Sequence, residues 1–476
     1  MTQEPQHRGP RRSRAGEQDA KAELPASARV VAVRVLERVA ERGAYASRAL
    51  DAELGRARLQ PRDAALATEI VYGALRVLPA LDARIAARLR RPFDALDPWL
   101  RAALRAGCYQ LLYLARVPAH AVVDESVGLV RALRGKELAG VANAVLRKLA
   151  TERDTETDAL PRLVVPAWLE AALRRALGEE RARSLLRPDA LSPPLGLRVG
   201  PDRSLQVVAD ALSGGHAQSG IEVRPGRLSS RCLLCHRASD PRALPGYAEG
   251  AFSVQEEGAQ LVAACLGAQP GERVADLCAG HGGKTVVLAE AVGPGGEVTA
   301  VDVDERKLER IPKALARLGL PTQNVVLRPI DMCVGTGGLL PQFDRVLVDA
   351  PCTGLGTLRR RPELLLRVSQ RDPARLARHQ LAILSSALRL VRSGGLLLYA
   401  VCSPLPEEGA EVAAAFEAEH ADAVKRWTSV PDVANVPLAL DADGVLRLGP
   451  WLGGPDEGSP DAYQIVGWEI RGPNTV

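Results

Sequence analysis

The chain has 476 residues, room for two or three domains with sizeable cores. Apolar residues make up 46% but aromatics only 3%, so Leu, Val and Ala must fill those cores. No apolar run reaches the ~18 residues of a membrane span, and the opening MTQEPQHRGPRRSRAGEQDA lacks the apolar stretch of a signal peptide, so a cytoplasmic protein without a membrane segment is expected. Eight cysteines (Cys108, Cys232, Cys235, Cys265, Cys278, Cys333, Cys352 and Cys402) are spread widely. In a reducing compartment they are expected as free thiols, and one with a task is expected to be catalytic rather than structural. The net charge is +5, yet residues 29–150 hold 21 Lys and Arg against 12 Asp and Glu. That excess of nine suggests a polyanion partner; a solvated helical surface explains it equally well.

Residues 1–27 are polar and aperiodic and predict a disordered tail. From 28 to 151 the texture is helical. ARVVAVRVLERVAERG places apolar residues at three- and four-residue spacing and ends on glycine. DAALATEIVYGALRVLPALDARIAARL, PWLRAALRAGCYQLLYLA and AVVDESVGLVRALRGKELAGVANAVLRKLA repeat the style, predicting an all-α domain of five to seven helices. After a linker at 152–165, PAWLEAALRRALGEERARSLLRPD predicts a helix. The short β-like runs LGLRVGP and SGIEVRPG flank the helix SLQVVADALS, so residues 160–250 are a linker helix and a small α+β module. From 251 to 476 strands (ERVADLCAG, GEVTAVDVD, QNVVLRPID, FDRVLVDAPC, LLLYAVCS, DAYQIVGWEI) alternate with helices (KTVVLAEAVG, ERKLERIPKALARLG, PARLARHQLAILSSALRLVRSGG, EEGAEVAAAFEAEH). This predicts an α/β Rossmann-like domain with a mostly parallel sheet, in a multidomain chain.

The chemistry gathers at strand ends. D-L-C-A-G-H-G-G-K-T, Asp276 to Thr285, joins a strand to a helix, and Gly280, Gly282 and Gly283 let a ligand lie against the backbone. It is neither G-x-G-x-x-G nor a P-loop, and alone it is no more than a strand–helix turn. Asp302 ends the second strand, where an acid accepts hydrogen bonds from ribose hydroxyls, while Asp304 suits the cap of the next helix. Asp331, after the third strand, is placed to meet an adenine edge. The most specific signal is D-A-P-C-T-G-L-G-T-L-R-R-R-P-E, Asp349 to Glu363, joined by YAVCS with Cys402. Cys352 alone could be a core cysteine. Two thiols closing strands beside a nucleotide-type cleft fit methylation of cytosine C5, because that carbon is too weak a nucleophile until a thiolate adds to C6. Asp349 can then donate a hydrogen bond at N3, and the second thiol can assist elimination. Arg359, Arg360 and Arg361, just past Cys352, are expected to meet RNA phosphate rather than form a solvated run. Cys232-Leu-Leu-Cys235-His236 matches the haem-attachment pattern by chance. No second Cys/His pair completes a zinc site, so no metal is expected. His281 is expected to pack near the cofactor rather than act as a base.

These residues resemble the RNA 5-methylcytosine methyltransferases, most closely the bacterial Sun/Fmu (RsmB) group, which methylates 16S ribosomal RNA and joins a NusB-like helical domain to a class I methyltransferase domain. AFSVQEEGAQLVA, VDVDERKLERI, FDRVLVDAPCTGLGTLRRRPE and GGLLLYAVCSPLPEEGAEV carry the likeness, and GVANAVLRKLA resembles the end of a NusB-like domain. The resemblance implies S-adenosylmethionine as cofactor, held by Cys278, Ala279, Gly280, His281, Gly282, Gly283, Lys284, Asp302, Asp331 and Asp349. It implies ribosomal RNA as partner, Cys402 as nucleophile and Cys352 as the thiol that helps release product; a monomer is expected. Three positions depart from the group's pattern: Gly280-His281 for Ala-Pro, Val401 for Thr before the nucleophile, and Gly409 for Asn after the two glutamates. Two rival readings are a small-molecule or protein methyltransferase, which leaves the paired cysteines unexplained, and a non-catalytic RNA-binding factor, which leaves Asp349, Cys352 and Cys402 unexplained.

Overall fold

Ser27 starts the first helix by accepting from the Val30 N–H, and Gly43, at φ 63°, ends it in the left-handed conformation. The computed structural model describes residues 25–151, 163–186, 193–214, 221–236, 238, 240–453 and 460–471. Residues 1–24 of the expected tail and 152–162 of the linker lie outside them. The first unit is α1 (Ala28–Arg42), α2 (Ala46–Ala57), α3 (Pro61–Arg76), α4 (Leu78–Ala86), α5 (Pro98–Tyr113), α6 (Ala119–Arg134) and α7 (Lys136–Thr151). Proline opens α3 and α5, where its missing N–H costs nothing. The core is mostly Val, Leu, Ala and Ile, as scarce aromatics require. Tyr109 passes so close to Gly73 that a Cβ there would overlap its ring at 2.0 Å.

α8 (Ala167–Leu185) is interrupted at Gly178, whose φ of 76° breaks the helical course. A small antiparallel sheet follows in the order β2-β3-β1-β4, from β1 (Leu195–Val199), β2 (Glu222–Pro225), β3 (Cys232–His236) and β4 (Phe252–Val254), with α9 (Leu205–Gly214) between the first two. β3 and β4 are not among the expected elements: β4 has three residues, and β3, buried along nearly its whole length, shows no alternation. β3 also settles the Cys-x-x-Cys question: residues three apart on a strand face opposite sides, so Cys232 and Cys235 cannot converge on one ion.

The large sheet has the order β10-β12-β9-β8-β5-β6-β7. Its strands are β5 (Arg273–Leu277), β6 (Glu297–Val301), β7 (Val325–Arg328), β8 (Phe343–Asp349), β9 (Val391–Val401), β10 (Val424–Arg426) and β12 (Tyr463–Ile470), with β11 (Leu446–Leu448) pairing β12. β7, β6, β5, β8 and β9 are parallel; β12 runs antiparallel beside β9. This is the methyltransferase arrangement of an α/β sheet. Around it lie α10 (Glu257–Cys265), α11 (Gly283–Val292), α12 (Glu305–Leu308), α13 (Ile311–Arg317), α14 (Asp372–Leu388) and α15 (Ala410–Glu419). Two expectations need correction. The helix expected over ERKLERIPKALARLG is two, because Pro312 cannot continue the ladder from α12. The long helix expected to run through VRSGG stops at Leu388, and those residues begin β9. Among the described residues no single helix is long and apolar enough to cross a membrane.

The helical unit is joined to the α/β unit by a buried contact: Arg76 of α3 donates from Nε to the Arg359 carbonyl at 3.0 Å. Burial lowers Arg76 to about 10, still charged at neutral pH. Arg76→Leu keeps roughly the volume but removes this buried, charge-assisted hydrogen bond across the joint, at a cost of roughly 1–3 kcal/mol. Calorimetry should show a lower melting temperature; an unchanged one would mean the contact does not hold the units together.

Candidate active site

The parallel strands all end on one edge, and the strand order reverses between β5 and β8, which is where ligands enter open α/β sheets. β5 leads into Cys278, at φ 66°, a left-handed conformation uncommon for a residue with a side chain. Gly280 (φ 58°) and Gly282 (φ 84°) continue the turn, and a Cβ on Gly282 would strike Ile311 at 2.6 Å. A Cβ on Gly280 or Gly283 would meet nothing within 4 Å, so the turn faces open space.

Asp302, after β6, locks this turn. Its Oδ2 accepts from the Gly280 N–H at 2.9 Å, and its Oδ1 accepts from the Asp304 N–H at 2.9 Å and from Lys307 Nζ at 3.1 Å. Asp304 instead accepts from the Arg306 N–H and starts α12. Lys307 Nζ also reaches Oδ2 at 3.4 Å, so the roughly four acceptor positions of the carboxylate are engaged, and a ligand hydroxyl would take the place of that long contact. Lys284 Nζ donates to Asp349 Oδ2 at 2.5 Å. Burial works to lower the Lys284 ammonium, but Asp349 outweighs it and holds the group above its ordinary value. Asp331 is exposed, and its Oδ1 accepts from the Cys333 N–H at 2.9 Å in the loop after β7. His281 is exposed; partial burial, then the charges of Arg310, Arg48 and Lys307, hold it below its ordinary value. Three nearby cations disfavour the imidazolium that accepting a proton would create, which suits packing better than a base's role.

Cys352 and Cys402 are brought together with their sulfurs 3.4 Å apart. Hydrogen bonding to Cys402 and burial push the Cys352 thiol well above its ordinary value, so it stays a thiol at neutral pH. Two further contacts tie the thiol-bearing loops. Gly356 donates from N to the Cys402 carbonyl at 3.0 Å, and a Cβ on Gly356 would sit 2.0 Å from the Ala462 carbonyl oxygen. Glu408 is fully buried and accepts from Thr353 N at 2.7 Å, Thr353 Oγ1 at 2.5 Å and Ser403 Oγ at 2.6 Å. Burial raises Glu408, and the Ser403 and Thr353 donors oppose that. Gln380 extends the cluster by donating to the Pro351 carbonyl at 2.9 Å.

Glu408 is the residue that the sequence reading passed over. Its signal was a pair of glutamates just past Cys402 in a stretch, 393–424, without any Lys or Arg to neutralise them. The three arginines need a correction. Arg359 is buried and donates to the Pro460 carbonyl at 2.9 Å. Arg360 donates to Asp461 Oδ2 at 3.2 Å and to the Pro194 carbonyl at 2.6 Å. The buried Asp461 carboxylate draws both inward, and of the three only Arg361 is exposed.

Two predictions follow from these carboxylates. Glu408→Ala strips the three donors of Thr353 and Ser403 of their acceptor and lets the two thiols drift; a displacement of about 1 Å costs about 100-fold in turnover. Turnover should fall by that order with cofactor affinity retained, and Glu408→Gln should lose less. Equal loss of cofactor binding would show a collapsed site rather than misplaced thiols. Asp276 has no exposed surface and accepts from Thr285 Oγ1 at 2.6 Å, while its Oδ1 has no hydrogen-bond partner. Burial raises it from 3.8 to about 7. Its folded value lies above its unfolded value, so the stability present below pH 3.8 is lost as pH rises to about 7. Asp276→Asn removes this loss, so its stability advantage over the parent should grow from pH 4 to pH 7, toward about 4 kcal/mol, then level off, as denaturant unfolding across that range would show. A pH-independent difference would contradict the burial argument.

Comparison with known proteins agrees with this geometry. Residues 263–450 match the model of the 16S rRNA methyltransferase RsmB/F family, and residues 26–151 match the NusB family. The chain is 35% identical over 393 residues to ribosomal RNA small subunit methyltransferase B of Pseudomonas putida, covering 82% of this chain and 88% of that one. It is 34% identical over 428 residues to the protein of the same name from Salmonella arizonae, covering 87% and 96%. Among solved structures, the fold resembles the crystal structure of PH0851, with a TM-score of 0.75 at 23% identity over 92% of this chain and 98% of that one. It also resembles NSun6 from Pyrococcus horikoshii with SFG, with a TM-score of 0.52 at 18% identity over 65% and 99%. A NusB-family helical unit ahead of a methyltransferase sheet, with relatives matched over nearly their whole length, places this chain in the RsmB/F family of 16S rRNA methyltransferases.

Proposed function

We propose that the protein methylates C5 of a cytosine in 16S ribosomal RNA with S-adenosylmethionine, through a covalent bond between Cys402 and C6. The observation that carries the reading is the pair of sulfurs 3.4 Å apart at the edge that also holds Asp349 and the glycine turn. In this reading residues 28–151 are the RNA-binding unit, 160–250 a connecting module and 251–476 the catalytic unit. A ribosomal RNA substrate puts its work in the cytoplasm.

The residues present fit the cofactor. The turn of Cys278, Ala279, Gly280, His281, Gly282, Gly283 and Lys284 opens onto free space at Gly280 and Gly283, and Asp302 can accept from ribose in place of its long Lys307 contact on Oδ2. Asp331 stands ready for the adenine edge. When bound, S-adenosylmethionine supplies the electrophilic methyl group that an activated C5 takes up.

The chain's own residues do the rest. The Cys402 sulfur adds to C6, and the electron pair of the C5–C6 bond moves toward N3. N3 takes the proton that the Lys284–Asp349 pair holds, delivered through the Asp349 carboxyl, and returns it when the double bond re-forms. After C5 has taken the methyl group, its proton leaves to a base, the C5–C6 double bond re-forms, and the Cys402 sulfur departs. Cys352 sits within contact of the departing sulfur, and its retained proton makes it a donor to Cys402 rather than a competing nucleophile.

The cysteine variants test this directly. Cys402→Ala should abolish turnover and leave no protein–RNA adduct. Cys352→Ala should permit addition and methylation but slow elimination, so a covalent adduct with labelled RNA should accumulate on a denaturing gel. The reversed pattern would exchange the two roles. Full activity in both variants would end thiol chemistry as the mechanism.

A further inference from the structure

The seam between the helical and catalytic units gathers cations around one ring. Tyr45 immediately precedes α2 and is half-buried. The guanidinium of Arg367 lies 4.2 Å from its centroid, that of Arg361 5.3 Å, and that of Arg48 5.6 Å. All three arginines are exposed, and none forms an ion pair among the described residues. Arg367 donates to the Gly43 carbonyl. The buried acid Glu363 accepts the backbone N–H of Ala46; burial raises it above its ordinary value, and the charges of Arg361 and Arg367 only partly oppose that. Asp51 lies one helical turn past Arg48 without bonding to it. Three like charges on one ring repel each other, and exposed cation–π attraction is a weak recompense. The arrangement is completed by an anion.

Its position says which anion. Arg361 Nη1 comes within 3.9 Å of where a Cβ on Gly354 would stand, two residues past Cys352. On the other side, the charge of Arg48 is felt at His281 in the glycine turn. The cluster therefore flanks the mouth of the site, between the Cys352 loop and the Asp276–Thr285 turn, with one side of it supplied by each unit. We propose that Tyr45, Arg48, Arg361 and Arg367 form a shelf that grips the RNA strand next to the target base. The guanidiniums hold consecutive phosphates and the phenol ring supports a neighbouring base. A base drawn out of its stack needs its flanking backbone held while the thiol attacks, and this shelf lies where that backbone must pass. The inference rests on the RNA-methylation reading above and adds where the strand lies.

The test uses the full-length enzyme, transcribed 16S ribosomal RNA and tritiated S-adenosylmethionine. Arg48→Gln with Arg367→Gln removes two phosphate contacts. RNA affinity should fall roughly tenfold, and the slope of log affinity against log salt should flatten by about 1.5. S-adenosylmethionine affinity should hold. Tyr45→Ala should weaken RNA binding, and Tyr45→Phe should restore it, because the ring rather than the hydroxyl is the support. An unchanged salt slope in the folded double variant overturns the shelf. So does a lower melting temperature with the slope intact, which makes the cluster a joint between units. A wild-type enzyme that transfers no methyl group to ribosomal RNA removes the underlying reading and the shelf with it.

Discussion

The carboxylate of Glu408 is the interaction on which the catalytic geometry depends. A fully buried acid is costly unless its oxygens are satisfied, and here Thr353 and Ser403 supply three donors. Thr353 follows Cys352 and Ser403 follows Cys402, so one carboxylate fixes the residue after each thiol. The Glu408 backbone joins in, since its carbonyl accepts from Tyr399 Oη at 2.5 Å, and Tyr399 stands three residues before Cys402 on β9. The 3.4 Å between the sulfurs is thus set by groups that never touch a substrate. Such a network concentrates risk: satisfied, it holds one arrangement; half satisfied, it is worse than an apolar core.

The same loop is held a second time from outside the catalytic unit. The segment after Cys352 meets α3 through Arg76, the start of α2 through Glu363, and the turn before α2 through Arg367. Arg359 and Arg360, drawn inward by Asp461, brace it from the other side. The helical unit therefore does more than add positive charge. It forms one wall of the loop that carries Cys352, so the seam between the units and the sheet edge share a physical part.

How legible this was in the sequence depends on the range of the contacts involved. β5, β6, β8 and β9 could be read directly, because strands buried on both faces are near-continuous Val, Leu and Ala runs. β10 and β11 are three residues each and carry no period to detect. The glycine turn, Asp302 and the two cysteines announce themselves because their chemistry is local to a strand end. Glu408 and Asp461 do not. Each takes its meaning from partners far away in sequence, and Asp461 decides that two arginines point inward from 101 residues off. Charge counting placed a basic surface on residues 29–150 but could not show that Arg48 faces arginines of the other unit.

Distant partners also account for the positions that depart from the family pattern. Gly409 stands where an asparagine was expected, and a Cβ there would lie 2.3 Å from the Gln464 side chain. Gln464, fully inside on β12, fills that space: its Nε2 donates to the Ser403 and Leu405 carbonyls at 2.9 and 2.8 Å. An amide carried by the last strand thus holds the backbone just past Cys402, where one carried by the following residue would have sat. Val401 pairs with that same Gln464 in the sheet register and has no exposed surface, so an apolar side chain suits a site where a hydroxyl would need a partner of its own. Gly280 takes φ 58°, which an alanine would adopt only under strain, and the turn keeps its hydrogen bond to Asp302. The three departures move polar groups and backbone freedom between neighbouring chain segments, while the sulfurs, the Lys284–Asp349 pair and the Glu408 clamp remain in contact.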